Sequence, residues 1–121
     1  MMRFAFLGSG SEGNSLLIEA GDGASVTRVL LDCGFGIKET ARRLERLGVA
    51  PEQLDAVLVT HEHGDHVGSA YAFAARHKLP VHTSHGTWLA TSHMRGADVA
   101  DVRVCCADHS FSVGGLQIHP Y

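Results

Sequence analysis

The stretch Thr60-His61-Glu62-His63-Gly64-Asp65-His66 follows directly on the apolar run Ala56-Val57-Leu58-Val59. A short apolar run of this kind reads as a buried strand, and Gly64 then turns the chain sharply. The small, helix-compatible residues from Val67 to Ala75 come next. Four potential metal ligands therefore stand where a strand passes into a helix. His61 and His63 are two positions apart, so in extended backbone their side chains leave the same face and can reach one ion. Asp65 and His66, past the turn, can point back toward a second. Neutral imidazole suits zinc, iron and related divalent ions, and a carboxylate can hold a second ion or orient a coordinated water. The competing reading is a polar loop that is His-rich by chance. His-x-His-x-Asp-His is far more restrictive than a lone histidine, and the metal reading is preferred.

That motif resembles the signature of the metallo-β-lactamase-fold hydrolases. The flanks narrow the likeness. Phe6-Leu7-Gly8-Ser9-Gly10-Ser11-Glu12-Gly13-Asn14-Ser15 is similar to the opening of the YycJ/WalJ-type branch, which is associated with DNA exonuclease activity. Leu30-Leu31-Asp32-Cys33-Gly34 and Pro80-Val81-His82 with Gly86-Thr87-Trp88 fit the same branch. The resemblance extends over essentially all 121 residues, which correspond to about the first half of a family member. It implies an α/β (α+β) fold, the αβ/βα sandwich. Residues 1–121 are expected to form only the N-terminal portion of that domain: one largely antiparallel or mixed sheet with two to three helices on one face. The other face, normally covered by the second half, is expected to form an apolar patch prone to dimerisation or aggregation.

Composition agrees with a globular chain. Hydrophobic residues make up 45% and charged residues 19% of the sequence, ordinary values that argue against disorder. A net charge of −3 gives no global attraction to nucleic acid or to an anionic membrane. A local basic groove or bound cations would have to supply affinity for phosphates. Nine histidines are the compositional outlier. Three cysteines cannot form a closed disulfide framework, and thiols in a reducing cytoplasm are expected. The N-terminal apolar run is too short for a signal peptide, and no stretch approaches the length of a membrane span.

Met2 to Leu7 reads as a strand, Gly8 to Ser15 as a Gly/Ser loop, and Leu16-Leu17-Ile18 as resumed strand. The loop lacks the ending of a P-loop, and no helix follows it. In the resembled family it lies near the active-site edge, which implies substrate-phosphate contacts for Ser11, Asn14 or Ser15. A structural hairpin turn is the equal alternative. Thr27 to Asp32 reads as a strand. The resemblance implies that Asp32 supports the metal loop through hydrogen bonds without being a ligand, whereas a plain strand-end Asp would cap a local turn.

Ile37 to Leu47 has helical spacing through Ile37, Ala41, Leu44 and Leu47, stopped by Gly48. Its Lys38, Arg42, Arg43 and Arg46 alternate with Glu39 and Glu45, the pattern of a solvated face more than of a phosphate-binding one. Leu54 to Thr60 delivers the metal motif, and the small residues after it let a helix pack close to a sheet. Leu79-Pro80-Val81-His82 predicts a strand and Gly86 to Met94 a helix. His77, His82, His85 and His93 lack ligand spacing and are expected on the surface or in packing. Val102-Arg103-Val104, Ser110 to Val113 and Leu116 to Ile118 alternate as strands, with Gly114-Gly115 turning a hairpin.

The resemblance implies two divalent metal ions, zinc foremost and manganese or iron as alternatives, activating a water for hydrolysis. Its branch implies a phosphodiester in DNA as substrate. Asp65 would be both ligand and orienter of that water. A catalytic zinc needs about three protein ligands, while His61, His63, Asp65 and His66 offer two to each ion. The family's remaining ligands would fall after Tyr121, so half a site and an inactive isolated chain are expected. His109 and His119 match no ligand motif, and Cys105-Cys106 with His109 lacks Cys-x-x-Cys spacing. Hydrolysis of another ester (thioester, lactam or cyclic phosphodiester) is the enzymatic alternative. A non-catalytic metal-binding or interaction module is the other, if the chain ends at residue 121.

Overall fold

The alternation of apolar side chains in the first third of the chain builds an antiparallel meander. β1 (Met2–Gly8) pairs with β2 (Ser15–Gly21), and β2 with β3 (Val26–Leu31), in the register Ala5↔Leu17↔Leu30. β4 (Ala56–Leu58), β5 (Val81–Ser84) and β6 (Val102–Cys105) then add in parallel, completing a six-stranded mixed sheet in sequence order. This computed structural model describes residues 1–10, 13–21, 24–60, 68–91, 101–106 and 109–120. No helix among them is long and apolar enough to cross a membrane.

Among the described residues three helices accompany the sheet: α1 (Ile37–Arg46), α2 (Ala70–His77) and α3 (His85–Ala90), with a 3-10 turn at Pro51–Gln53. One sheet face carries Leu7, Leu17, Leu30, Val57 and Val81, which pack with Leu44 of α1 and with Tyr71, Phe73 and Ala74 of α2. Leu17, Leu30 and Leu44 are fully buried, and each contributes about 1.5–3 kcal/mol by leaving water. α1 ends as its sequence requires. Gly48 takes a left-handed φ of 76°, letting its own N–H reach the Glu45 carbonyl and that of Val49 reach Leu44, a Schellman closure. Its buried stripe is centred on Thr40 and Leu44, with Ala41 only half-buried. The sequence reading missed Thr40, whose hydroxyl donates to the Gly36 carbonyl at 2.9 Å and so needs no solvent.

The second face carries Val29, Leu31, Ala56 and Leu58. Here a hairpin is added to the expected mixed sheet and covers part of the face expected to be bare. β7 (Phe111–Val113) and β8 (Leu116–Ile118) form a separate two-stranded sheet. Val113 and Leu116 pack against that second face, with Phe111 and Ile118 beside them. Their alternation gives the hairpin one apolar side, and laying it face to face on the sheet buries more than edge pairing would. The turn is fixed where Gly115 N–H donates to Thr27 Oγ1 at 2.8 Å. In β1, Met2, Phe4 and Phe6 remain exposed.

Candidate metal centre

Every apolar residue of the run Ala56 to Val59 is buried, as its composition requires. The strand proper spans Ala56–Leu58, one residue short of that run. It pairs in parallel with β3, so that Leu58 lies beside Leu31. Both strands thus end at the same level, and the residues after them, Asp32 and Thr60, meet. Asp32 is buried and adopts φ 64°, a left-handed conformation that Asp tolerates better than most residues. Its N–H donates to the Leu58 carbonyl at 2.6 Å. Its carboxylate receives the Thr60 N–H at 2.8 Å, and the Thr60 hydroxyl lies 2.9 and 2.7 Å from its two oxygens. The residue immediately before His61 is therefore held at both its backbone and its side chain. His61, His63, Asp65 and His66 themselves lie outside the described residues.

The chain is described again from Gly68, and there it rests on the same short segment. Gly68 has φ 27°, and a Cβ on it would lie 2.7 Å from the Gly34 carbonyl oxygen and 2.8 Å from that of Cys33. Only glycine permits that approach. Ser69 N–H donates to the Cys33 carbonyl at 3.1 Å, and Ser69 Oγ donates to the Phe35 carbonyl at 2.5 Å. Cys33 is fully buried, with Sγ 3.6 Å from both Thr40 Oγ1 and Ser69 Oγ. Burial holds its thiol above the usual range despite those hydroxyls, so it stays protonated.

Residues 32–35 are buttressed in turn from the Gly/Ser loop. Ser15, buried, donates its hydroxyl to the Asp32 carbonyl at 2.8 Å, and Gly34 N–H donates to the Asn14 carbonyl at 3.1 Å. The Asn14 side-chain amide closes the loop on Gly10, accepting from its N–H at 3.1 Å and donating to its carbonyl at 2.8 Å. Asn14 and Ser15 thus tie the loop to itself and to residues 32–34. Ser11 lies outside the described residues. Arg43 of α1 is also used internally: it donates to the Leu7 carbonyl and to Glu39 and lies 4.0 Å over the Phe35 ring. Arg42 pairs with Glu39 as well.

A cavity of about 370 Å³ opens at the carboxyl ends of the parallel strands, beginning at Thr60 and bounded by His82, Ser84, Phe111 and His119. Ligand sites in parallel sheets gather at this edge. His82 stacks flat on Phe111, with centroids 4.5 Å apart and an interplanar angle of 10°. Burial, reinforced by the Arg103 charge, lowers its pKa and keeps the imidazole neutral. Of the other histidines, His77 packs at a tilt against Phe73 and His85 is exposed, whereas His93 lies outside the described residues. His109 is exposed. No group of three His, Cys, Asp or Glu side chains that could hold an ion occurs among the described residues, so Cys105, Cys106 and His109 do not assemble one.

Thr60, Gly68 and Ser69 escaped the sequence reading. A serine directly before a helix was a usable signal, since it marks a helix start. The Thr60 contact had none, because its partner is 28 residues away.

Comparison with known proteins bears on the same region. The model of the metallo-beta-lactamase superfamily matches residues 8–100. Exodeoxyribonuclease WalJ of Streptococcus pneumoniae is 32% identical over 93 residues, covering 77% of this chain and 33% of its own length. Exodeoxyribonuclease YycJ of Bacillus anthracis is 31% identical over 116 residues, covering 96% of this chain and 40% of its own. The chain thus spans about a third to two-fifths of these curated relatives. Among solved structures, the metallo-beta-lactamase fold protein YhfI from Bacillus subtilis superposes with a TM-score of 0.71 at 22% identity, covering 98% of this chain and 52% of that one.

Proposed function

Because the chain belongs to the metallo-beta-lactamase superfamily, we propose that it carries the first part of the metal centre of a metal-dependent hydrolase acting on phosphodiesters, with DNA as substrate and exonucleolytic cleavage as the reaction. The observation that carries this reading is the Asp32 carboxylate holding Thr60, the residue that leads into His61-Glu62-His63-Gly64-Asp65-His66. A buried carboxylate spent on steadying the entry to a loop of three histidines and an aspartate is what a ligand-bearing loop requires.

The donor set suits divalent ions: His61 and His63 would serve one, and Asp65 and His66 a second. Zinc is the favoured metal, with manganese or iron as alternatives. When bound, such ions supply a water acidic enough to act at neutral pH and positive charge for a developing phosphorane. The chain's own part is to present neutral imidazoles and one carboxylate from a loop whose ends are fixed. The cavity lined by Thr60, the residue before His61, would receive the strand end. The exodeoxyribonucleases of Streptococcus pneumoniae and Bacillus anthracis support DNA over other esters.

The test uses the protein at its natural length. Purified protein is assayed for bound metal by elemental analysis, then for degradation of end-labelled linear DNA with zinc or manganese. His61→Ala and Asp65→Ala should each lower the rate at least about 100-fold and reduce bound metal. Metal-free protein with full DNA-degrading activity would refute the reading. Activity confined to RNA, a thioester or a lactam would move the substrate and leave the metal centre standing.

A further inference from the structure

From the exit end of the same loop, and resting on the metal-centre reading above, we infer that Ser69 is a positioning residue for the metal-ligand loop. Ser69 is the N-cap residue of α2, yet its side chain makes no capping bond. A serine there ordinarily accepts from an N–H of the first helical turn. Instead it donates its hydroxyl away from the helix, to the Phe35 carbonyl at 2.5 Å, while its N–H goes to the Cys33 carbonyl at 3.1 Å. Its own carbonyl accepts from Phe73 N–H at 2.7 Å, so the residue still starts the helix while tied to residues 33–35.

The geometry makes this a clamp with two jaws. Asp32 fixes the entry at Thr60, Ser69 fixes the exit, and both belong to or rest on residues 32–35. Gly68 brings the exit backbone against Cys33 and Gly34 more closely than any side chain would allow. Thr60 and Gly68-Ser69, on either side of residues 61–67 in the sequence, are therefore held on one base. A loop closed at both ends has fewer conformations to lose when its ligands converge, and ligand placement to fractions of an ångström depends on such supporting bonds. Ser69 touches neither substrate nor reacting atoms in this scheme. It acts through the position of Asp65 and His66, which precede it by four and three residues.

The test compares wild type with Ser69→Ala and with Ser69→Thr, which keeps the hydroxyl, in the protein at its natural length. Cobalt(II) is the probe, read by its visible absorption, with affinity from chelator competition. Metal-free thermal melting is recorded beside it, because a purely structural role would move melting and leave the cobalt spectrum alone. The expected result is a roughly tenfold weaker cobalt affinity for Ser69→Ala with an altered band shape, and recovery of both in Ser69→Thr. Wild-type affinity and spectrum in Ser69→Ala would overturn the inference while leaving the metal centre intact. A wild type that takes up no cobalt would overturn the metal centre itself, and this inference with it.

Discussion

Asp32 sits in a backbone conformation that few residues tolerate, and its carboxylate holds both the N–H and the hydroxyl of Thr60. Removing it should act on stability and on metal uptake together. Asp32→Ala leaves the Thr60 donors without that acceptor, which costs about 1–3 kcal/mol, and should weaken zinc binding roughly 10–100-fold. Urea unfolding of the metal-free protein and chelator competition measure the two effects. Asp32→Asn, which accepts the left-handed φ and keeps one oxygen acceptor, should retain part of both. This residue was legible in the sequence as a strand-end carboxylate before Cys33-Gly34. Its partner was not, because the pairing of β3 with β4 that brings them together spans more sequence than any local pattern records. Ser69 was read only as a small residue suited to close packing, since nothing local distinguishes a capping hydroxyl from one turned to another segment.

Among the elements, the β7–β8 hairpin joins the sheet at two kinds of contact. Its turn is held by the Thr27–Gly115 hydrogen bond, whose groups do not titrate. Its far end is held by the flat stack of Phe111 on His82. Burial, with the Arg103 charge, lowers the His82 pKa below its ordinary 6.5. The unfolded chain therefore binds a proton more readily than the folded one. The contribution of His82 is complete above pH 6.5 and is lost as pH falls toward the folded value. His82→Phe keeps a ring for the stack and removes the titration. Wild type should lose more stability than His82→Phe when urea midpoints near pH 7.5 and near pH 5.5 are compared, and equal losses would place the sensitive group elsewhere. The strands of this hairpin were legible from alternation around Gly114-Gly115. Their separation into a second sheet was not, because alternation marks an apolar side without naming the surface that receives it. The helix α2 starts later than its small residues suggest because Gly68 and Ser69 are used for contact with residues 33–35 before the helix begins.

At the scale of the molecule, helices cover one sheet face and the hairpin covers part of the other, leaving Met2, Phe4 and Phe6 of β1 53%, 60% and 70% exposed. Three large apolar side chains beside a strand with one unpaired edge form a surface that associates in water. The chain of residues 1–121 should self-associate and bind a hydrophobic dye, and the double variant Phe4→Lys/Phe6→Lys should do markedly less of both. Sedimentation velocity over a concentration series gives the answer, and a wild-type chain that remains monomeric and binds no dye would remove the patch from consideration. The fastening of residues 32–35 to Thr60 and Ser69 has a consequence in time as well as in space. Three histidines and an aspartate adjoin one another in the chain, so an ion can meet them in any conformation. The Asp32–Thr60 contact that leads into them exists only after β3 and β4 have paired across the 24 residues between them, a non-local event and a slow one. On the proposed reading, tight ion capture belongs to the last stage of folding: an ion offered to the denatured chain should leave the early refolding rate unchanged and slow only the return journey.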